Sequence, residues 1–164
     1  MVRPTPTALS PSSGASSPAD CLLRNVGSGL LLEVRGGAKG SGAPVQQGRD
    51  SGSDAQRWTL TPVHEGSGLH HVVNAASGKR LDVAGAKLEN GVRIQQWSAN
   101  NFGAQEWIVE RHPDAPGRVS LVSWISGLLL EVAERSTADG GRVQQWEDTD
   151  SPFQWWQVEP VPAN

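Results

Sequence analysis

Cysteine occurs once in the chain, at Cys21, so no internal disulfide can form. A leftover thiol fits a reducing compartment better than an oxidising one. Clustered basic charge is also missing: charged residues are 19% of the chain and the net charge is −3. Nucleic-acid binding draws on grouped Lys and Arg that displace counterions from phosphates, so that partner class is excluded. No apolar run reaches membrane-spanning length, and no membrane insertion is expected. The N-terminal segment lacks the apolar h-region of a secretory signal, which with the lone thiol favours a cytoplasmic location over a secreted one. His64, His70, His71 and His112 show no metal-ligand spacing and have no companion cysteine, so neither a metal nor another cofactor is expected. No Ser-His-Asp arrangement can be argued from the spacing, and the chain is not expected to be an enzyme.

Residues 1–20 hold four of the eleven prolines with many Ser, Thr and Ala and no apolar patch. Such a stretch buries too little surface to offset its ordering entropy and reads as a disordered leader or linker. It suits an intracellular protein with a flexible N-terminus, or the tail of a larger protein joined through a Pro/Ser/Thr linker, the first being favoured.

What is present is repetition. Gln56-Arg57-Trp58, Gln105-Glu106-Trp107 and Gln154-Trp155-Trp156 repeat one Gln-x-Trp triplet at a constant spacing of 49 residues. Ser28-Gly29, Ser77-Gly78 and Ser126-Gly127 keep the same offset. So do Leu32-Glu33-Val34, Leu81-Asp82-Val83 and Leu130-Glu131-Val132, and the pairs Gln46-Gln47, Gln95-Gln96 and Gln144-Gln145. A fixed period of this length means that each copy is a supersecondary unit that buries its apolar face against its siblings.

Each period contains four short apolar or alternating stretches separated by Gly, Ser, Asn and Asp. In the first they are Cys21 to Asn25, Leu30 to Val34, Pro44 to Gln47 and Arg57 to Pro62. The second repeats them at His70 to Asn74, Lys79 to Val83, Arg93 to Trp97 and Glu106 to Glu110. The third has Val119 to Ser123, Leu128 to Val132, Arg142 to Trp146 and Trp155 to Glu159. Nineteen glycines and eleven prolines argue against long helices. A propeller needs at least four blades, so three copies point to a closed all-β barrel with pseudo-threefold symmetry.

The pattern Ser-Gly-x-x-Leu-Asp/Glu-Val, Gly-x-x-Val/Ile-Gln-Gln-Trp and Gln-x-Trp, three times over, resembles the ricin B-type (R-type) lectin β-trefoils. These also occur as carbohydrate-binding modules attached to glycoside hydrolases. The similarity covers Cys21 to Val161, so the expected domain spans residues 21–161. It implies a β-trefoil that binds carbohydrate without catalysis. The alternative is a degenerate trefoil acting as a protein–protein interaction or inhibitor module.

Side chains on a strand alternate between faces. With Ile94 facing the core, Gln95 and Trp97 point outward together. With Leu81 and Val83 inward, Asp82 is left outside. Trp58, Trp107 and Trp156, kept in every copy, read as core, and Gln56, Gln105 and Gln154 as buried amides that hydrogen-bond local backbone. The outward set varies among copies: Asp82, Gln95 and Trp97 in the second, Glu131, Gln144 and Trp146 in the third. The first has Glu33 and Gln46, but Gly48 stands where the others have tryptophan.

A sugar needs a flat apolar surface for its C–H face and a charged acceptor for vicinal hydroxyls, which an indole beside a carboxylate supplies. The resemblance implies these roles for the acid, the first glutamine and the aromatic two residues after it. The second copy is then the best site, the third is weaker because of its longer acid, and the first is dead. A galactose- or xylose-type glycan or polysaccharide is the expected ligand, and a monomer the expected state. The asparagine that commonly precedes Gln-x-Trp in the family is replaced by Ala55, Ala104 and Phe153, with Asn100 or Asn101 as substitutes in the second copy. Arg80 stands where a disulfide cysteine often sits. Asp82 and Glu131 lie in different thirds of the barrel, too far apart to flank one glycosidic bond. Trp124 and Trp155 occur in one copy only and serve either as extra contact surface or as loop packing.

Overall fold

Alternating apolar side chains and glycine- or asparagine-marked turns make short antiparallel strands, and the computed structural model, which describes residues 19–162, shows how they close. There are twelve: β1 (Cys21–Asn25), β2 (Leu31–Val34), β3 (Val45–Gly48), β4 (Trp58–Pro62), β5 (Leu69–Asn74), β6 (Arg80–Val83), β7 (Ile94–Trp97), β8 (Trp107–Arg111), β9 (Arg118–Ser123), β10 (Leu129–Val132), β11 (Val143–Trp146) and β12 (Trp156–Pro160). Each lies within one residue of its expected bounds. Helical geometry among the described residues is confined to three-residue 3-10 turns. The leader expected over residues 1–20 falls, for residues 1–18, outside the described residues.

β1 pairs with β4, β4 with β5, β5 with β8, β8 with β9, β9 with β12, and β12 returns to β1. This ring is a six-stranded barrel without free edges. The remaining strands form three hairpins, β2–β3, β6–β7 and β10–β11, one per repeat. Single bridges Pro44↔Gln95, Arg93↔Gln144 and Gln46↔Arg142 join the hairpins in a triangle. The fold is a β-trefoil.

Trp58, Trp107 and Trp156 are fully buried. Each indole N–H donates to a hairpin carbonyl, of Leu32 (2.9 Å), Leu81 (3.1 Å) and Leu130 (3.0 Å) respectively. The conserved triplet therefore ties each barrel strand to the hairpin of its own repeat. The second glutamine of each pair links one repeat to another. Gln96 Nε2 donates to the carbonyls of Ala38 and Gly40, Gln145 Nε2 to those of Lys87 and Glu89, and Gln47 Nε2 to those of Ser136 and Ala138. The serine of each Ser-Gly pair, Ser28, Ser77 or Ser126, donates to the Oε1 of that same glutamine and so sets its orientation. Two of the repeated motifs are thus one polar clamp, its glutamines buried and satisfied and its serines half-buried. Cys21 is buried too; desolvation, reinforced by Asp20, pushes its thiol up to about 11, which makes it an inert core residue.

Candidate functional site

Antiparallel register sets Asp82 opposite Gln95 on the β6–β7 hairpin, Glu131 opposite Gln144 on β10–β11, and Glu33 opposite Gln46 on β2–β3. Parity places each pair on the outer hairpin face, as expected, but the expectation that all these side chains are exposed fails. Asp82, Gln95, Glu131 and Gln144 are buried, while Trp97 is exposed and Trp146 half-buried. The reason is the 3-10 turn before each core tryptophan, Gly103–Gln105 in the second repeat and Pro152–Gln154 in the third, which folds over the hairpin.

The glutamine of that turn does more than the local backbone bonding expected of it. Gln105 Nε2 donates to the Ser98 carbonyl (2.8 Å) and also to Asp82 Oδ2 (3.1 Å), and its Oε1 accepts from the Asn100 N–H. Gln95 Nε2 donates to Asp82 Oδ1 (3.1 Å). One amide holds each oxygen of the carboxylate, and each oxygen keeps a further acceptor direction. In the third repeat Gln144 Nε2 reaches Glu131 Oε2 at 2.8 Å and Gln154 Nε2 reaches Oε1 at 3.0 Å. The first repeat has the same bracket: Gln46 to Glu33 at 2.7 Å and Gln56 to Glu33 at 2.9 Å. Gln56, Gln105 and Gln154 therefore belong to the core and to the site floor together.

Arginines, which the sequence did not single out, fix the other glutamine. Arg93 donates to Gln95 Oε1 (3.1 Å) and Arg142 to Gln144 Oε1 (2.8 Å), leaving each Nε2 to face the acid. The first repeat has Pro44 at that position, and Arg35 from the adjacent turn makes the equivalent bond to Gln46 Oε1 (2.9 Å). Arg80, at the disulfide position of the family, reaches the Asn100 carbonyl and Gln105 Oε1.

Two open clefts result. The cleft of the second repeat, about 360 Å³, is lined by Asp82, Gly85, Ala86, Gln95, Trp97, Asn100, Phe102 and Ala104. That of the third, about 450 Å³, holds Glu131, Gln144 and Trp146, with Glu134, Arg135, Ser151 and Phe153 on its walls. The indole of each cleft lies over the loop of the preceding repeat, Trp97 near Gly42 and Trp146 near Gly91, both at positive φ where a side chain would be strained. Burial pushes the Asp82 carboxyl above its ordinary value, against the two amide hydrogen bonds that pull it down. Of the two candidate asparagines, Asn100 lines the cleft, with its Oδ1 taken by the Phe102 N–H, whereas Asn101 is exposed outside it. In the first repeat the Glu33 carboxylate stands where a β-carbon on Gly48 would go, and Glu33 and Gln46 are only half-buried for want of an indole beside them.

Comparisons with known proteins agree with the β-trefoil fold. The family described as ricin-type beta-trefoil lectin domain-like matches residues 14–97, 61–146 and 103–164, three overlapping windows that follow the repeats. No curated protein matches the chain by sequence. Among solved structures, the designed threefold-symmetric protein ThreeFoil is 32% identical with a TM-score of 0.82, over 87% of this chain and 99% of that one. The exo-β-1,3-galactanase 1,3Gal43A of Clostridium thermocellum is 33% identical with a TM-score of 0.83, over 92% of this chain but 32% of that enzyme. The Macrolepiota procera ricin B-like lectin, solved in complex with lactose, has 18% identity and a TM-score of 0.75, over 90% of this chain and 99% of that one. At that identity the lectin is a likeness of fold.

Proposed function

From the premise that the chain belongs to the family of ricin-type β-trefoil lectin domains, we propose that it is a non-catalytic carbohydrate-binding module with two sugar sites, the clefts at Asp82 and Glu131. The observation that carries this reading is the same arrangement built twice: a carboxylate held by two glutamine amides on the floor and an indole on the rim. A pyranose laid on Trp97 buries its C–H face against the ring, while two neighbouring hydroxyls donate to the acceptor directions left on Asp82. Gln95 and Gln105 pre-organise that acceptor, so little is reordered when sugar arrives. The third-repeat site works alike, with the longer Glu131 and a rim narrowed by Arg135, whose guanidinium lies 5.0 Å from the centre of the Phe153 ring.

Galactose- or xylose-type glycans are the proposed ligands, the galactose type being supported by the likeness to part of a galactanase and to the fold of a lectin that holds lactose. An open site of this kind binds weakly, with a dissociation constant of about 1 mM, and two sites on one rigid barrel gain through effective concentration on a polymer. A glycan array followed by titration of the best ligand tests the reading. The Trp97→Ala, Trp146→Ala double variant is expected to fold and to lose binding. Unchanged binding in the folded double variant would overturn the sugar reading and leave the protein-interaction alternative.

A further inference from the structure

The two tryptophans peculiar to the third repeat have different fates. Trp155 is engaged by its surroundings: Arg118 lies 4.5 Å from its ring centre and His112 meets it edge-on at 5.8 Å. Trp124 is 57% exposed, and Phe102 is 71% exposed. Core packing does not account for either ring.

They meet at the turn that covers the second site. A β-carbon on Gly103 would lie 2.7 Å from Ile125 Cγ2 and 3.2 Å from Trp124 Cδ1, so both side chains pack against the backbone of that turn, and glycine leaves room for them. The Trp124 backbone N–H donates to the Glu106 carbonyl directly after the turn. Phe102, the residue before Gly103, shares its cleft with Trp97 and Asp82. Trp97 and Phe102 therefore line the cleft, and Trp124 stands just outside it, against the residue that follows Phe102.

The other repeats serve as internal controls. The positions of Phe102 and Trp124 are filled by Ser53 and Ala75 around the first repeat's turn, and by Ser151 and Val26 around the third's. Their backbones are placed alike, since Ala75 N–H donates to Arg57 and Val26 N–H to Trp155. Same scaffold, different side chains: the aromatic extension belongs to the second site alone. Exposed apolar surface gathered at the rim of a cleft is where ligands are commonly bound.

We propose that the second site is the first position of an aromatic track, Trp97–Phe102–Trp124, that takes a linear neutral glycan about three units long, one stacked ring per aromatic. The proposal rests on the reading of Trp97 as a sugar platform. The third-repeat cleft has no such extension and takes a single terminal unit.

The test uses the Trp146→Ala protein, so that the second site alone reports. Xylo-oligosaccharides and β-1,3-galacto-oligosaccharides of increasing length are titrated by calorimetry. Affinity is expected to rise about tenfold between one unit and three, as added stacking contacts form. The added Phe102→Ala, Trp124→Ala pair should flatten that rise, and Trp124→Phe alone should keep most of it. Thermal melts check that the variants fold. An equal rise with and without the two aromatics, or no rise in the parent, would overturn the track while Trp97-dependent binding still stood. Binding that ignores Trp97→Ala would instead overturn the sugar reading on which the track depends.

Discussion

The first and second repeats share a backbone, a register and a polar bracket, yet only the second forms a cleft with an aromatic wall. Glu33 is held by Gln46 and Gln56 as Asp82 is held by Gln95 and Gln105. Even the arginine behind the first glutamine is kept, although it comes from a different chain position. The bracket is therefore not the binding site in itself. It is architecture that fastens hairpin to turn, and it persists where no sugar platform exists. On the proposed reading, what makes a site is the residue two places after the first glutamine: an indole at Trp97, where the first repeat has the buried Gly48 with the Glu33 carboxylate against it.

The comparison breaks most visibly if core and rim tryptophans are interchangeable. Trp107→Ala removes a fully buried ring and its bond to Leu81, and is expected to cost about 3–5 kcal/mol of stability. Trp97→Ala, at an exposed ring, should move the denaturation midpoint little. Chemical denaturation of the two variants side by side decides it; equal losses would mean that Trp97 is part of the core.

Asp82→Asn comes next, because the carboxylate is buried and bracketed. An asparagine presents one donor nitrogen to an amide that also donates, so about 1–3 kcal/mol of stability should be lost along with sugar binding at this site. The ionisation has its own signature. Burial favours the neutral acid in the folded chain, so the folded value lies above the ordinary 3.8. The unfolded chain then loses its proton first, and this group's contribution to stability falls as pH rises from 3.8 to the folded value and is flat above it. Sugar affinity has the opposite sign, since hydroxyls need the ionised acceptor: in the Trp146→Ala protein it should fall with acidification before an ordinary aspartate would titrate. Affinity that holds steady down to pH 3.8 would contradict this.

Single platform deletions sharpen the ranking of the two sites. Trp97→Ala should cost about 1–3 kcal/mol of affinity, by analogy with base–aromatic stacking, and Trp146→Ala less. A larger loss at Trp146 in calorimetric titration would reverse the order. The smallest signal is a gain. Glu33→Asp with Gly48→Trp shortens the acid that fills the space and supplies the indole, and nothing lies near Gly140, the counterpart of Gly42 and Gly91. Monosaccharide stoichiometry should rise from two toward three, while Gly48→Trp alone, driven against the Glu33 carboxylate, should not raise it.

Much of this was legible in the residues because repetition exposes it. Three Gln-x-Trp triplets at one spacing point to a threefold barrel with an indole from each repeat in its core. Strand alternation puts Asp82, Gln95 and Trp97 on the outer faces of their strands, while their meeting around one pocket is what the family resemblance implies. Spacing and alternation are local or periodic properties, readable without coordinates. Tertiary packing alone decided what covers that face. The turn carrying Gln105 lies 23 positions after Asp82 and folds back over it, turning an acid expected in solvent into a buried acceptor. The clamp from Gln96 to Ala38 and Gly40 crosses from one repeat to another, as do the indole of Trp97 over Gly42 and the ring of Trp124 over Gly103. Periodicity specifies which face a side chain takes on its own strand. Which backbone from elsewhere in the chain then lies on that face depends on barrel closure, and closure is a property of all three repeats together.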